Sequence, residues 1–226
     1  MIKLIPLFLV IASVHSYAEP ATIIHILDTH YVAPVAFAAD LRDQDSGITQ
    51  EEIDKAYSQF LRSVESSQRG QMRALRRLIK EHKLKGVYVE GVTEKNHKGV
   101  LRFIQTLKKY EASKQDPPES AIDKMVAVQN SIDLMELGAA GRLVVSGELQ
   151  TVLPVEDAAA FEAANPLKPD GKIVFNEKAG ERRENAIVRN LQKGSGVVVI
   201  TLGAGHDLRD NLKRLGVACK YQRAKY

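Results

Sequence analysis

Residues 196–206 read GVVVITLGAGH, and this stretch decides the fold. The apolar, β-branched run at 196–202 is typical of a strand that is buried on both faces of a parallel sheet. Gly203 and Gly205 then allow a tight turn, and His206 is expected at the N-terminus of the helix that follows. The positive end of the helix dipole would keep this histidine neutral, which suits a metal ligand or a general base. In the simpler alternative, the glycines only permit the turn and His206 caps the helix.

Outward from this stretch, strand-like and helical patterns alternate along the chain. Strands are predicted at 21–27, at 86–89 and at either 142–145 or 151–155. Helices are predicted over 51–83, which Gly70 could divide, over 94–112, 121–137, 177–193 and 207–215, and as a short helix opening at Glu156. Loops are predicted at 40–47 and 165–171. The alternation predicts a three-layer α/β fold with a largely parallel central sheet flanked by helices, in which the strandless stretch 94–137 is a helical insertion that caps one end of the sheet.

The composition limits the class of protein. With 226 residues, 44% of them hydrophobic and 27% charged, the chain resembles an ordinary globular domain, which excludes a mainly disordered or fibrous protein. The single cysteine, Cys219, cannot form an internal disulfide. The net charge of +4 is too small to indicate a nucleic-acid partner. One basic series is therefore predicted to be a solvated helix face: Arg69, Arg73, Arg76, Arg77, Lys80, Lys83 and Lys85.

The N-terminus has the pattern of a secretory signal. Lys3 precedes an apolar stretch at 4–14, and small residues stand before a predicted cleavage site after Ala18. The apolar stretch is shorter than the ~20 residues that span a bilayer, so no stable membrane anchor is expected. The sequence thus predicts a signal peptide at 1–18, a single α/β domain at 19–226, and a periplasmic or secreted location.

Polar groups of catalytic type follow three of the predicted strands. Asp28 and His30 come after the first, Glu90 after the second, and the glycine turn with His206 after the last. Because parallel strands end at the same edge of a sheet, where ligands bind, we expect these groups to lie within about 10 Å of one another. Two histidines and one carboxylate would suit zinc or a similar divalent ion, and a histidine could instead act as a general base.

Several further polar residues are expected to have partners. Asp28 could orient the ring of His30. Arg183 opens a predicted helix, where a cation is unfavourable, so a carboxylate or ligand should hold it unless it belongs to a solvated face. His25 lies inside the first strand and is predicted to be a hydrogen-bonded core residue. Glu148 or Glu156, near the end of the third strand, could add another carboxylate to the site.

The order of these motifs resembles the superfamily of TraB/Tiki-type, ChaN-like and erythromycin-esterase-like proteins, whose signature is two GxxH-type histidines, a glutamate and an arginine. Gly203 and His206 match the second GxxH motif, Glu90 matches the glutamate, and His30 is the first histidine. The arginine helix is matched by Arg183 with Glu184, Ile187, Asn190 and Leu191. The first motif departs from the pattern, since Leu27 and Asp28 stand where the family has glycine.

The resemblance implies a secreted or periplasmic hydrolase that acts on a peptide or ester bond of a peptide or small molecule, with or without a divalent metal ion. The alternative is a non-catalytic envelope protein that binds haem, a metal or another ligand in the same cleft. The implied catalytic residues are His30, Glu90, Arg183 and His206, with Arg183 holding an oxyanion or a substrate carboxylate. The implied metal ligands are His30, Glu90 and His206, and the implied substrate-binding residues are Gly203, Gly205, Asp28 and Glu184.

Overall fold

The computed structural model describes residues 20–114, 117–166, 174–224 and 226. Within this part of the chain, five strands form one sheet in the order β3-β2-β4-β1-β5, and every neighbouring pair is parallel. The strands are β1 (Pro20–Asp28), β2 (Gly86–Thr93), β3 (Thr151–Glu156), β4 (Gly196–Gly203) and β5 (Lys220–Ala224). The predicted signal peptide lies outside the described residues, as does most of the predicted loop at 165–171.

Helices cover both faces of the sheet. They are α1 (Pro34–Gln44), α2 (Gln50–His82), α3 (Glu94–Ser113), α4 (Ala121–Val145), α5 (Ala158–Ala164), α6 (Glu177–Leu191) and α7 (Arg209–Arg214). One apolar core joins the sheet to α2, α3 and α4, and a second core on the opposite face joins it to α6 and α7. Alternation along the strands supplies both cores, since Ile24 and Ile26 belong to the first and Ile23 to the second. The predicted three-layer α/β fold with a parallel sheet is confirmed.

The helices α1, α2 and α4 differ from the prediction. Gly70 does not divide α2, which is continuous; the ring of Tyr226 lies against this glycine, and a Cβ there would be 2.5 Å from a ring carbon. The alternative strand at 142–145 is wrong, because α4 continues through a kink at Gly138, where φ is 72°. The predicted loop at 40–47 is wrong in its first half, which is the end of α1.

Two predicted helix starts are displaced by a few residues. Glu156 ends β3 instead of opening a helix, and the side chain of Asp157 caps α5 by accepting a hydrogen bond from the Ala160 amide. The last helix begins at Arg209, so His206 lies in the turn before it, where its amide donates to the carbonyl of Gly203. Among the described helices, none combines the length and the apolar character that crossing a membrane requires.

Candidate active site

Four parallel strands deliver polar residues to one edge of the sheet. Asp28, Glu156 and Gly203 are the last residues of β1, β3 and β4, and Glu90 lies near the end of β2. All four strands run in the same direction, so these residues meet at the carboxyl edge, as predicted. His30 and His206 follow in the turns after β1 and β4, and Arg183 reaches the same place from α6.

A bulge in β2 directs Glu90 into the site. Val89 pairs with Pro154 and Thr93 pairs with Glu156, so residues 90–92 stand against a single residue of β3. Gly91 takes up the change with a φ of 77°, a value that costs glycine little. Such an irregularity re-aims the neighbouring side chains. It frees the Glu90 carboxylate from the regular alternation at the point where it meets both histidines.

The Glu90 carboxylate is the centre of the cluster. Its Oε2 accepts a hydrogen bond from the Gly203 amide at 2.6 Å and lies 3.0 Å from Nε2 of His30. Its Oε1 accepts from Arg183 at 2.6 Å and lies 3.5 Å from Nε2 of His206. Burial raises the pKa of Glu90, but the bonds from His206, His30 and Arg183 outweigh it and hold the pKa well below its usual range. Glu90 is therefore ionised in the resting site.

His30 lies between two carboxylates. Its Nδ1 is 3.3 Å from Asp28, as predicted for an orienting partner, and its Nε2 faces Glu90. The bonds to Asp28 and Glu90 raise the pKa of His30 to about 10, so both ring nitrogens carry protons at neutral pH. Its side chain is 51% exposed, against 12% for Glu90 and 13% for Arg183. Of these three side chains, that of His30 is the most accessible from solvent.

His206 repeats this arrangement on the other side of Glu90. Its Nδ1 lies 2.8 Å from Glu184, and its Nε2 faces Glu90. The bonds to Glu184 and Glu90 raise the pKa of His206 to about 9. The expectation of a neutral His206 at a helix N-terminus is therefore wrong, because α7 begins three residues later and two carboxylates surround the ring. Two carboxylate–imidazole pairs thus converge on one central carboxylate.

Arg183 is held by two carboxylates, as predicted, although α6 begins at Glu177 and Arg183 therefore lies in its second turn and not at its start. Its Nε donates to both oxygens of Glu156, and one terminal nitrogen donates to Glu156 at 2.5 Å and to Glu90 at 2.6 Å. Its guanidinium also lies 4.9 Å from the centre of the Phe161 ring, within the range of a cation–π contact. Burial lowers the pKa of Arg183, but the bonds to Glu156 and Glu90 more than offset this.

Glu156 is the member of the cluster that the sequence left open. It is 2% exposed, and Arg183 is its main partner. A carboxylate that ends a buried strand has to be paired, and the same reasoning that selected Glu90 would have selected it. The other candidate, Glu148, lies elsewhere, in a surface ion pair with Arg76. The remaining basic residues of the series on α2 and after it are exposed, as predicted for a solvated face.

The two glycines of the GAGH turn differ in what surrounds them. A Cβ on Gly203 would lie 2.9 Å from Nε2 of His30 and 3.3 Å from Oε2 of Glu90, so this position admits no side chain without a shift of the site. A Cβ on Gly205 would meet nothing within 4 Å. Only Gly203 is thus packed against the cluster.

The cluster fits a hydrogen-bonded network better than a resident metal ion. Among the described residues, no group of three or more His, Cys, Asp or Glu side chains is arranged to hold an ion. Each imidazole turns both nitrogens toward carboxylates, whereas a metal ligand must offer an unprotonated nitrogen. Arg183, which is permanently charged, also forms an ion pair with Glu90, so this carboxylate already has a cationic partner. The divalent metal and haem stay predictions.

No protein-family model, curated protein or solved structure matches this chain. The resemblance to the TraB/Tiki, ChaN and erythromycin-esterase superfamily accordingly stays a hypothesis, based on a few residues.

Proposed function

We propose that this protein is a secreted or periplasmic hydrolase of the TraB/Tiki, ChaN and erythromycin-esterase type that cleaves an ester or peptide bond at the Glu90 cluster. One observation carries the proposal: two imidazoles from separate turns, each with its own carboxylate partner, meet one ionised carboxylate at the carboxyl edge of a parallel sheet. Linked acid and base groups of this kind, at the place where α/β proteins bind ligands, are what hydrolysis requires.

The chemistry divides between Glu90 and His30. Glu90 takes a proton from water as the water oxygen attacks the carbonyl carbon, and the His30 imidazolium gives its Nε2 proton to the departing alkoxide or amine. The products are a carboxylic acid and an alcohol or amine. The proton left on Glu90 then returns to His30 across the 3.0 Å contact between Oε2 and Nε2, which restores the starting state.

The other members of the cluster set the conditions for this exchange. His206 and Arg183 are cations beside Oε1 of Glu90, so they keep the carboxylate ionised and oriented while Oε2 exchanges the proton. The two proton transfers are concerted: as the His30 proton moves to the leaving group, one of the bonds that depress the Glu90 pKa is lost, and Glu90 becomes a stronger base toward water. Asp28 holds the His30 ring in place through Nδ1.

The test is turnover of p-nitrophenyl esters and of fluorogenic peptides by the purified protein and its variants, with and without EDTA. We expect measurable hydrolysis by the wild type and a loss of about 10²-fold or more in kcat for His30→Asn and His206→Ala, the usual scale of general acid–base catalysis. His82→Asn is the matched control, since His82 lies at the end of α2 and its ion-pair partner is the adjacent Glu81.

Each arm of the experiment decides one point. Equal, background-level turnover by the wild type and His206→Ala would reject the hydrolase. Loss of activity in EDTA with recovery on adding Zn²⁺ would show that the metal-dependent form is correct. Saturable binding of haem or Zn²⁺ without turnover would instead favour the non-catalytic binding protein that the departures at Leu27 and Asp28 first suggested.

A further inference from the structure

An apolar cavity of about 350 Å³ adjoins the candidate active site on the side of the first core. It lies between β2, β3 and the helices α3 and α4. Its apolar wall is formed by Val89, Val92, Val100, Phe103, Leu137 and Val152. Glu90 and Gly91 also line it, so the cavity and the catalytic cluster share the bulge of β2.

The bulge in β2 shapes both the cavity and the Glu90 cluster. Val89 packs against the first core, while the bulge that follows turns the Glu90 carboxylate toward the histidines. On the helical side, α4 kinks at Gly138, directly after the wall residue Leu137. A group bound in this cavity would therefore lie next to Glu90, the residue that is proposed to activate water.

We propose that this cavity binds an uncharged alkyl or aryl group next to the bond that is cleaved, so that the substrate is an ester or amide of an apolar acyl group. This inference rests on the proposed hydrolase. The volume is sufficient, because a cavity of about 150 Å³ already holds benzene. A largely apolar wall with a few polar groups at one side is also typical of pockets for small ligands.

Charge argues against an anionic occupant. The lining includes Glu90 and Glu136 and no Lys, Arg or His. A substrate with a second carboxylate at this position would lose water without finding a cation in the lining to pair with. The cavity thus favours a neutral hydrocarbon group over the acidic side chains of peptides.

Binding and turnover test the inference separately. Neutral amides of increasing chain length, acetamide, butyramide and hexanamide, are titrated by NMR, and p-nitrophenyl acetate is compared with p-nitrophenyl hexanoate in the ester assay. Each buried methylene strengthens binding by roughly fourfold, so we expect hexanamide to bind wild type at least tenfold more tightly than butyramide. We expect the hexanoyl ester to have the higher kcat/KM.

Filling the cavity should abolish this preference. Val100→Phe places a ring among the wall residues, and we expect it to weaken hexanamide binding at least tenfold and to remove the preference for the hexanoyl over the acetyl ester. Val128→Phe is the matched control, because Val128 is 62% exposed on α4 and does not line the cavity. Phe103→Ala is a second variant, which removes part of the cavity wall and adds no volume to the core. Because Phe103 is 37% exposed, the protein should still fold, and we expect hexanamide to bind it more weakly than it binds the wild type.

The outcomes separate the inference from the proposed function. Equal affinities of wild type for butyramide and hexanamide, or unchanged hexanamide binding in both Val100→Phe and Phe103→Ala, would overturn the cavity assignment whatever the ester assays give. Chain-length-dependent binding that Val100→Phe removes would support it. The same binding without turnover of any ester or peptide would leave the apolar ligand site standing and reject the hydrolase alone.

Discussion

A single carboxylate, that of Glu90, links four separate parts of the chain. The turn after β1, the helix α6, the end of β4 and the turn after it each place a donor on its two oxygens. Hydrogen bonds to a charged group contribute about 1.5–3 kcal/mol each when both partners are in place, and a buried charge that loses its partners costs at least as much. A change in the packing at this edge of the sheet is therefore expected to change the geometry of the cluster as well.

The fit around Gly203 makes a sharp prediction at this scale. In Gly203→Ala the new methyl group would press on Nε2 of His30 and on Oε2 of Glu90, and these two groups must separate. We expect a loss of about 1–3 kcal/mol in the free energy of unfolding, as for other overpacked sites. We also expect the pKa of His30, measured by NMR, to fall from about 10 toward its ordinary value as the Glu90 bond weakens.

Gly205→Ala is the control for this change. It lies two residues away in the same turn, its Cβ would be free of contacts within 4 Å, and its φ is not in the left-handed region. It should leave both the stability and the His30 pKa close to those of the wild type. If Gly203→Ala behaved like Gly205→Ala, the close packing of the turn against His30 and Glu90 would be incorrect.

Most residues of the candidate site could be predicted from the chemistry of their side chains and their positions in the sequence. Asp28, His30, Glu90 and His206 could be selected because polar groups at the ends of buried strands need partners. Arg183 could be selected because a cation near a predicted helix start needs one, although in the structure it lies in the second turn of α6. Apart from the pairing of Asp28 with His30, the partner of each residue could not be read from the sequence. Glu156 and Arg183 are 27 positions apart and meet only because β3 and α6 pack together. The protonation of His206 likewise depends on Glu184 and Glu90, whose distances no spacing along the chain encodes.

At the scale of elements, the bulge in β2 is the feature that converts a strand into part of the site. Gly91 has a φ of 77°, and a Cβ there would touch nothing within 4 Å. Any cost of a side chain at this position is therefore conformational. We expect Gly91→Ala to lower the free energy of unfolding by about 1–2 kcal/mol, the usual cost of a left-handed conformation in an L-residue. Urea unfolding measures it.

Replacing a glycine inside a helix by alanine should change the free energy of unfolding in the opposite direction. Gly99 lies in α3, and a Cβ there would also touch nothing within 4 Å, but its backbone is that of an α-helix. Gly99→Ala should raise the free energy of unfolding by up to about 1 kcal/mol, because alanine loses less backbone freedom in a helix. If the two substitutions changed the free energy of unfolding equally, a side chain at position 91 would cause no backbone strain. The conformation of Gly91 would then not be what determines the bulge.

Element boundaries were predicted best where chemistry marks them. Thr49 and Glu52 form the capping box that starts α2, and the sequence identifies that start directly. The stretch at 142–145 has no such cap, and its three buried apolar residues, 143–145, have the same pattern in a strand and in the last turn of a buried helix. Pro34 marks the start of α1, but the helix has no clear apolar stripe, and its charged end resembles a loop.

At the scale of the whole molecule, a buried histidine in β1 links the two strands on either side of it, β4 and β5. His25 is fully buried, and its Nε2 lies 2.8 Å from the carbonyl of Leu202 in β4. Its Nδ1 lies 2.7 Å from the Tyr221 hydroxyl in β5. The prediction of a hydrogen-bonded core residue is confirmed. A neutral ring that donates through Nε2 and accepts the tyrosine proton at Nδ1 satisfies both neighbouring strands at once.

This arrangement predicts how folding stability depends on acid. Burial lowers the pKa of His25, and the positive charges of Arg223 on β5 and of His206 lower it further, whereas the Leu202 bond and the charge of Glu90 act in the other direction. Below the unfolded pKa of about 6.5, the unfolded chain binds a proton that the folded chain refuses. The contribution of His25 to stability is therefore complete above about pH 6.5 and is lost as the pH falls through the lower, folded pKa.

The matched comparison is between the wild type and His25→Gln, whose amide keeps a donor for the Leu202 carbonyl but does not titrate. A single group contributes at most about 1.4 kcal/mol per pH unit to the slope of stability against pH. We expect the wild type to lose free energy of unfolding more steeply than His25→Gln between pH 7 and pH 5, measured by urea unfolding at each pH. NMR titration of the His25 ring should give a pKa below 6.5. Parallel curves for the two proteins, or a ring that titrates at or above 6.5, would show that protonating His25 does not disrupt its links to β4 and β5.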